Sequence, residues 1–417
     1  MKGFKDIFKD VPDTGVIYIM NKARESGFGS DGNFWANLGQ GQPELSEFEG
    51  GAQRCSNIKL LSDDLEYAPV SGIIELRQAI ADHYNYFYRK GKKSLYTHEN
   101  VSVCPGGRAS ITRAISTLSN VNVGHFLPDY TAYEELLGSF ASFCSIPIPI
   151  DASCHYSVSE ESLKKHIIDK GLSAILMSNP CNPTGKLVYG DELKRWCVLG
   201  KKLGCVMFFD EFYSHYIWEP KALGELPGST AASCVTNVDR DPVLIFDGLT
   251  KNWRYPGFRI SWALGPKDII SKINSAGSFL DGGASKPMQK AASLLFDHKS
   301  IVRESKALRE KFLEKKRFLK SRLSELGIVF DFDPKGTFYL WGDVSTLPEK
   351  FNTGMKFSEE SLKNKVICIP GEFFDINPGK RRPQRVSRFD GYVRFSFGPE
   401  KSVLKIGVDR LEKMLTV

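Results

Sequence analysis

The sequence lacks the features that build zinc sites, disulfide scaffolds or membrane spans. None of its nine cysteines lies in a C-x-x-C pair, and their number is odd, so we expect free, mostly buried thiols and no metal site. No apolar run reaches the roughly 20 residues of a membrane-spanning helix. Residues 1–6 also lack the apolar core of a signal peptide. These absences predict a soluble, cytoplasmic protein that binds no membrane.

Charge of one sign is not in large excess either. The 56 Lys and Arg residues exceed the 49 Asp and Glu residues by seven, and no concentrated basic arm of the kind that binds nucleic acid is present. Hydrophobic residues make up 41% and charged residues 25% of the chain, which is typical of a globular enzyme. At 417 residues the chain is too long for one simple core, and we expect two domains.

The pattern of apolar residues changes twice along the chain and predicts three regions. Residues 1–55 are rich in glycine and predicted loops and form an N-terminal segment. Across residues 56–295, short apolar runs alternate with helical stretches, which indicates a large α/β domain with a mostly parallel sheet flanked by helices. Residues 296–417 predict a smaller α+β domain, which the N-terminal segment completes.

The C-terminal region begins with an amphipathic helix. Leu308, Phe312, Leu319 and Leu323 fall on one face at helical spacing. Lys315 and its basic neighbours at 316 and 317 fill the gap between these apolar positions.

Polar and turn-forming residues follow five of the predicted strands. Ligands of an open α/β sheet bind outside the carboxyl ends of its strands. We therefore interpret the five clusters as parts of one site. They are residues 104–110, 128–130, 178–185, 210–213 and 247–251.

The first and last clusters favour a phosphorylated cofactor held by a lysine. Gly106 and Gly107 open a predicted helix, whose first-turn N–H groups and dipole attract phosphate. Lys251 follows a strand end, and Arg259 comes eight residues later. A lysine close to both a phosphate site and a carboxylate such as Asp210 is what a Schiff-base cofactor requires.

Four motifs together resemble the class I/II aminotransferases of fold type I, the aspartate aminotransferase superfamily, which use pyridoxal 5′-phosphate (PLP). They are Asn-Pro-Cys-Asn-Pro-Thr-Gly at residues 179–185, Asp210-x-x-Tyr213, Thr250-Lys251 and the late Arg394. The likeness runs from residue 38 to residue 394, in the order that the family shows. It implies an aminotransferase, which exchanges the amino group of an L-amino acid with a 2-oxo acid through aldimine, quinonoid and pyridoxamine intermediates.

The resemblance also implies a role for each matching residue. Lys251 would hold PLP and then move the Cα proton of the substrate. Asp210 would pair with the pyridine nitrogen of PLP, and Asn182 and Tyr213 would hydrogen-bond its phenolate oxygen. Lys251, Asp210 and Tyr213 are thus the implied catalytic residues.

Further positions are implied as contacts of the cofactor and of the substrate. Tyr130 would stack on the PLP ring. Arg394 would bind the substrate carboxylate through two hydrogen bonds, next to Gly41 and Asn182. The implied contacts of the phosphate end of PLP are Gly107, Arg108, Ala109, Thr250 and Arg259.

Tyr67 precedes a segment, residues 69–77, that resembles the part of these enzymes reaching into the neighbouring subunit. The resemblance therefore implies a homodimer with shared active sites, in which Tyr67 contacts the cofactor. A packed aromatic side chain is the alternative for this residue.

Two positions depart from the family pattern. Gly248 stands where members commonly carry a small hydroxyl residue that binds phosphate, and Ser110 or Thr250 could replace that contact. Residues 276–287 lack the arginine that dicarboxylate-specific members carry. Asp281 in this segment could meet a cationic substrate side chain, or it could be a surface residue.

Two other functions stay open at this point. A PLP-dependent oxidase, hydroxylase or cyclase acting on a basic amino acid such as arginine would need the same cofactor residues. A non-catalytic PLP-binding regulator is the more remote alternative, because the roughly 35 residues before the first motif are too few for an ordinary DNA-binding domain.

Overall fold

The computed structural model describes residues 13, 15–30, 34–219, 223–383 and 386–416. Residues 1–6, on which the signal-peptide prediction rests, lie outside these ranges. Within them, no helix has the length and apolar character to cross a membrane. All nine cysteines are free, as expected. No group of three or more His, Cys, Asp or Glu side chains in the described ranges is placed to hold a metal ion.

Strands and helices alternate along most of the chain. In chain order, the strands are β1 (Ala36–Asn37), β2 (Val101–Cys104), β3 (Asn122–Leu127), β4 (Cys144–Pro149), β5 (Leu172–Ser178), β6 (Val206–Asp210), β7 (Val243–Gly248), β8 (Ser261–Leu264), β9 (Tyr339–Asp343), β10 (Val366–Ile367), β11 (Ile369–Pro370) and β12 (Tyr392–Ser396). The α-helices are α1 (Gly15–Glu25), α2 (Ile74–Tyr88), α3 (Gly107–Ser116), α4 (Tyr133–Gly138), α5 (Glu160–Asp169), α6 (Gly190–Leu203), α7 (Lys267–Leu280), α8 (Lys286–Ser293), α9 (His298–Glu325), α10 (Gly354–Lys363) and α11 (Lys401–Leu415).

Seven of the strands form one large sheet, in the order β2-β8-β7-β6-β5-β3-β4. Neighbouring strands are parallel except at β8, which runs antiparallel to β2 and β7. The mostly parallel sheet is therefore confirmed, with β8 as its exception. The connection from β7 to β8 contains only the short 3-10 turn Pro256–Phe258, and a parallel neighbour would need a longer crossover.

Helices cover both faces of this sheet. Successive side chains of a strand point to opposite faces, so Phe208 and Phe209 of β6 belong to different cores. Phe208 lies in a cluster with residues of α3 and α7, and Phe209 lies in a cluster with residues of α2, α5 and α6. Burying such a side chain contributes about 1.5–3 kcal/mol. Both faces thus hold the strand ends firmly in place.

A smaller antiparallel sheet, in the order β11-β12-β9, lies in the C-terminal part of the chain. The N-terminal strand β1 pairs with β10 in parallel, so the N-terminal segment joins the C-terminal part as expected. The domain boundaries at residues 55 and 295 stay predictions.

The apolar face of α9 is buried as the pattern predicts. Lys315, which lies between the apolar positions, is buried as well, because its ammonium group pairs with Glu44 and donates to the Gly398 carbonyl at 3.2 Å. Burial lowers the pKa of Lys315 to about 8. This ion pair ties α9 to the segment that follows Gly41.

Candidate active site

The carboxyl ends of β2, β3, β5, β6 and β7 meet at one edge of the large sheet, where a cavity of about 380 Å³ opens. The five clusters predicted from the sequence therefore share one site. All predicted site residues except Ala109 and Tyr67 line this cavity. They are Gly41, Gly107, Arg108, Tyr130, Asn182, Asp210, Tyr213, Thr250, Lys251, Arg259 and Arg394.

Lys251 enters the cavity just after the end of β7. Its ammonium group donates to the carbonyl oxygen of Gly41, and its own carbonyl accepts a hydrogen bond from Tyr216 at 3.0 Å. Burial lowers the pKa of Lys251 to about 7, and the charges of Arg394 and Arg259 add to this shift. A substantial fraction of Lys251 is therefore uncharged at neutral pH and can act as a nucleophile or a base.

Asp210 ends β6 and is buried. Burial raises its pKa to about 6, while a hydrogen bond from the Tyr133 hydroxyl at 2.6 Å and the charge of Lys251 act in the opposite direction. Asp210 is therefore mostly ionised at pH 7, in a position to stabilise a cation. Tyr133 was not expected from the sequence, because it lies three residues beyond Tyr130, outside the predicted cluster at residues 128–130.

The first turn of α3 forms an anion-binding corner of the cavity. Gly106 has a φ of +105°, and a Cβ atom there would overlap the guanidinium group of Arg259. Only glycine permits both the backbone conformation and this close approach. Arg108 donates to the Tyr130 hydroxyl at 3.2 and 3.3 Å. Helix N–H groups beside two arginines favour a phosphate.

Gly248 has no room for the hydroxyl side chain found at this position in the resembling family. A Cβ atom on Gly248 would lie 2.8 Å from a backbone carbonyl oxygen and 2.9 Å from the ring of Phe212. Of the two suggested substitutes, Thr250 lines the cavity. Ser110 does not, because it is buried and donates to the Gly107 carbonyl at 2.8 Å.

Arg394 projects from β12 and is 2% exposed. Its Nη1 donates to Asn182 Oδ1 at 2.9 Å, and its Nη2 donates to the Gly39 carbonyl at 2.5 Å. The guanidinium group lies 4.1 Å from the ring centre of Tyr339. Its Nε has no hydrogen-bond partner among the described residues. A buried donor without a partner is costly unless a bound group supplies an acceptor.

Tyr213 and Tyr339 form a hydroxyl pair on the cavity wall, with their oxygens 2.7 Å apart. Tyr339 was not expected from the sequence, since it opens a buried strand and no local motif marks it. Burial raises the pKa of both hydroxyls, so both stay protonated and can donate hydrogen bonds.

Ala109 and Tyr67 are not brought to the cavity of their own chain. The backbone N–H of Ala109 already donates to the Gly106 carbonyl at 2.9 Å. Tyr67 is 98% exposed, which does not fit the alternative of a packed aromatic residue. Their roles at the cofactor stay predictions.

Asp281 has a partner inside the chain. It accepts two hydrogen bonds from the guanidinium group of Arg113 in α3, one of them at 2.8 Å from Nε, and the Arg113 side chain is fully buried. Asp281 therefore compensates a buried charge. The residue itself is exposed, as the surface alternative has it, and its carboxylate is bound to Arg113.

Helix α1 also contributes to the cavity, through Val16 and Ile17. The sequence predicted loops here, because several glycines follow within residues 1–55. The helical signal lies in Ile19, Met20 and Ala23, which are buried and recur at the spacing of one helix face.

Comparison with known proteins identifies the family. The sequence model of "Aminotransferase class I and II" matches residues 35–411. The chain is 25% identical over 389 residues to an aspartate aminotransferase of Sulfurisphaera tokodaii, covering 91% of this chain and 89% of that protein. It is 25% identical to a probable N-acetyl-LL-diaminopimelate aminotransferase of Bacillus subtilis, covering 83% and 80%.

A solved structure of a known aminotransferase shows the same fold. A mutant aspartate aminotransferase of Thermus thermophilus superposes over 100% of both chains with a TM-score of 0.79 and 21% identity. With the family match spanning most of the sequence, the chain belongs to the class I and II aminotransferases and is an enzyme of the transferase class.

Proposed function

We propose that this aminotransferase binds PLP on Lys251 and exchanges amino groups between an L-amino acid and a 2-oxo acid. The observation that carries the proposal is the placement of Lys251. Its amine, with a pKa of about 7, shares one cavity with the Asp210 carboxylate, the anion-binding corner of α3 and the unsatisfied Arg394. The family implies PLP as its cofactor.

The residues present fit PLP. The corner at Gly106, where a Cβ atom would overlap Arg259, suits the phosphate, with Gly107, Arg108 and Thr250 beside it. When bound, PLP supplies an electron-accepting ring for the bonds at the substrate Cα. Tyr130 would cover that ring, while Asp210 would hold a proton at its nitrogen.

The chain's own groups then account for substrate binding and proton movement. The free Nε of Arg394 would bind the α-carboxylate, which fixes the orientation of the Cα–H bond. Lys251, as a neutral amine, would take the proton from Cα of the amino donor. In the second half of the exchange it would deliver a proton to Cα of the amino acid formed from the 2-oxo acid. Tyr213 would donate its hydroxyl proton in a hydrogen bond to the phenolate oxygen of the cofactor, alongside Asn182.

The oxidase, hydroxylase or cyclase alternative for a basic amino acid loses the residue that supported it, because Asp281 is engaged by Arg113. The regulator alternative is disfavoured by the shared cavity of Lys251, Asp210 and Arg394. Neither has a specific observation in its favour.

The homodimer with shared sites and the cytoplasmic location are part of the proposal. Several large apolar side chains between residues 60 and 74 are exposed, including Leu65 at 82% and Tyr67 at 98%. Exposure of this extent in a short segment is typical of a surface that a partner covers.

The test is the visible spectrum of the PLP-loaded protein while single L-amino acids are added without a 2-oxo acid. We expect one amino acid to remove the absorption band of lysine-bound PLP and to yield one equivalent of its 2-oxo acid. Lys251→Ala should show no such band and should lose turnover by several orders of magnitude. The control Lys201→Ala, which changes a half-exposed lysine, should behave like wild type. Consumption of oxygen in place of oxo-acid formation would refute transamination.

A further inference from the structure

Asp129 is a buried carboxyl group beside the cavity to which the proposed mechanism gives no role. It follows β3 directly and is 1% exposed. Burial raises its pKa to about 8, while the hydrogen bonds that its oxygens accept act in the opposite direction. A polar group is kept in such a place only when its hydrogen bonds are satisfied.

The hydrogen bonds of Asp129 join two strand ends. Its Oδ1 accepts from the backbone N–H of Tyr130 at 2.7 Å and from the hydroxyl of Ser178, the last residue of β5. Its Oδ2 accepts from the backbone N–H of Ser178 at 3.3 Å. Asp129 therefore fixes both the position and the hydroxyl direction of Ser178.

Ser178 continues this network into the site. A hydroxyl has one hydrogen, and because Ser178 donates it to Asp129, its lone pairs face the other way. The backbone N–H of Asn182 donates to this oxygen at 3.1 Å. The Asn182 side-chain oxygen in turn accepts from Nη1 of Arg394 at 2.9 Å.

A second route leads from Asp129 to the same arginine. The backbone N–H of Asp129 donates to the carbonyl of Phe374 at 3.2 Å. The ring centre of Phe374 lies 5.0 Å from the guanidinium group of Arg394. This second route starts from the backbone of Asp129, whereas the first depends on its carboxyl group.

We propose that Asp129 is a positioning residue for substrate binding: through Ser178 and Asn182 it aims the guanidinium group of Arg394 at the substrate carboxylate. This inference rests on the proposed role of Arg394. It predicts that loss of Asp129 slows a reagent that carries a carboxylate more than a reagent that does not.

The test compares two reagents that displace Lys251 from PLP and change its absorption. Aminooxyacetate carries a carboxylate, whereas O-methylhydroxylamine does not, and neither needs the natural substrate to be known. The ratio of their second-order rate constants on the PLP-loaded protein measures carboxylate recognition. Arg394→Ala should lower this ratio at least about tenfold, because it removes a charge-assisted contact.

Asp129→Ala and Ser178→Ala should each lower the ratio about tenfold, the cost of a broken hydrogen-bond link. O-methylhydroxylamine is the reference reagent, because a displacement of Asn182 at the cofactor affects both reagents alike. Asp129→Asn should retain most of the ratio, since its amide oxygen can still accept from the Ser178 hydroxyl. The control Asp241→Ala changes another buried aspartate, bound to Lys201 and Thr236, and should leave the ratio unchanged.

The outcomes distinguish a failure of the role proposed for Arg394 from a failure of the role proposed for Asp129. An unchanged ratio in Arg394→Ala would refute the proposed role of Arg394, and this inference with it. A lowered ratio in Arg394→Ala with wild-type ratios in Asp129→Ala and Ser178→Ala would overturn this inference alone. If Asp129→Ala does not fold, Ser178→Ala decides by the same criterion. Equal losses in Asp129→Asn and Asp129→Ala would rule out the hydrogen-bond link.

Discussion

At the residue scale, burial shifts the pKa values of Lys251 and Asp210 toward each other. Loss of water favours the neutral form of both side chains, so the pKa of Lys251 falls to about 7 and that of Asp210 rises to about 6. Just above neutral pH, Asp210 is ionised and Lys251 is partly unprotonated. Both groups are then in the form that the proposed chemistry uses.

Tyr133 lowers the pKa of Asp210, and this pKa sets the acid limit of the pH range in which both groups are in these forms. Tyr133→Phe removes a hydrogen bond that lowers the Asp210 pKa, so this pKa should rise, by about one unit for a bond to a charged group worth about 1.5 kcal/mol. Protonated Asp210 no longer stabilises the cofactor ring. We therefore expect PLP affinity to weaken about twofold at pH 7 and about tenfold near pH 5, so that the acid midpoint of the affinity moves to higher pH.

The measurement is the PLP dissociation constant of the apo-protein between pH 5 and 9. Tyr156→Phe is the matched control, because Tyr156 is also buried but its hydroxyl accepts a hydrogen bond from Trp341, whereas that of Tyr133 donates to Asp210. If the acid midpoint of PLP affinity is the same in Tyr133→Phe as in wild type, Tyr133 does not control the pKa of Asp210.

At the scale of secondary-structure elements, the anion-binding corner depends on how α3 begins. Gly106→Ala would strain a backbone with φ +105° and displace Arg259, so we expect PLP affinity to fall at least about tenfold. Gly257→Ala, in the loop that leads to Arg259, is the control because its Cβ atom would meet nothing within 4 Å.

Pyridoxal, which lacks the phosphate, separates a local effect from a general one. Its affinity for Gly106→Ala should stay near that for wild type while PLP affinity falls. An equal loss of affinity for PLP and pyridoxal would show that Gly106 supports the fold and has no specific role in binding the phosphate.

Most of the elements could be predicted because their signals are local. The runs that became β5, β6 and β7 are short, apolar and bounded by turns, and their following clusters mark the site edge. The antiparallel direction of β8 could not be predicted from local signals. It depends on the connection between β7 and β8, which contains no crossover helix. Helix α1 was missed where nearby glycines obscured a clear helical spacing.

The side-chain pairings that the sequence did not predict join distant parts of the chain. Tyr339 reaches Tyr213 from another sheet, and Asp281 reaches Arg113 across 168 positions. Neither pairing leaves a pattern in the local sequence. The resemblance supplied the residues at the centre of the cavity, whereas their supporting neighbours appear only in the folded chain.

At the scale of the whole molecule, the proposed dimer makes a prediction about Tyr67. If this tyrosine serves the partner's site, mixing Tyr67→Ala with Lys251→Ala subunits creates hybrids with one intact site. Random mixing makes half of the dimers hybrids, and each hybrid has one intact site of two. About a quarter of the wild-type activity should therefore return when each variant alone is nearly inactive.

This complementation is measured after the two variants are unfolded, mixed and refolded together, with each variant refolded alone as its control. No regain of activity, with hybrids shown to form, would place Tyr67 outside the partner's site.

The central claim is that Lys251, at the end of β7, carries the cofactor. The most direct measurement is borohydride reduction of the PLP-loaded protein followed by mass spectrometry of its peptides. The account predicts that the cofactor's mass is fixed on the peptide that contains Lys251, in wild type and not in Lys251→Ala. Cofactor fixed on another lysine, or on none, would contradict it.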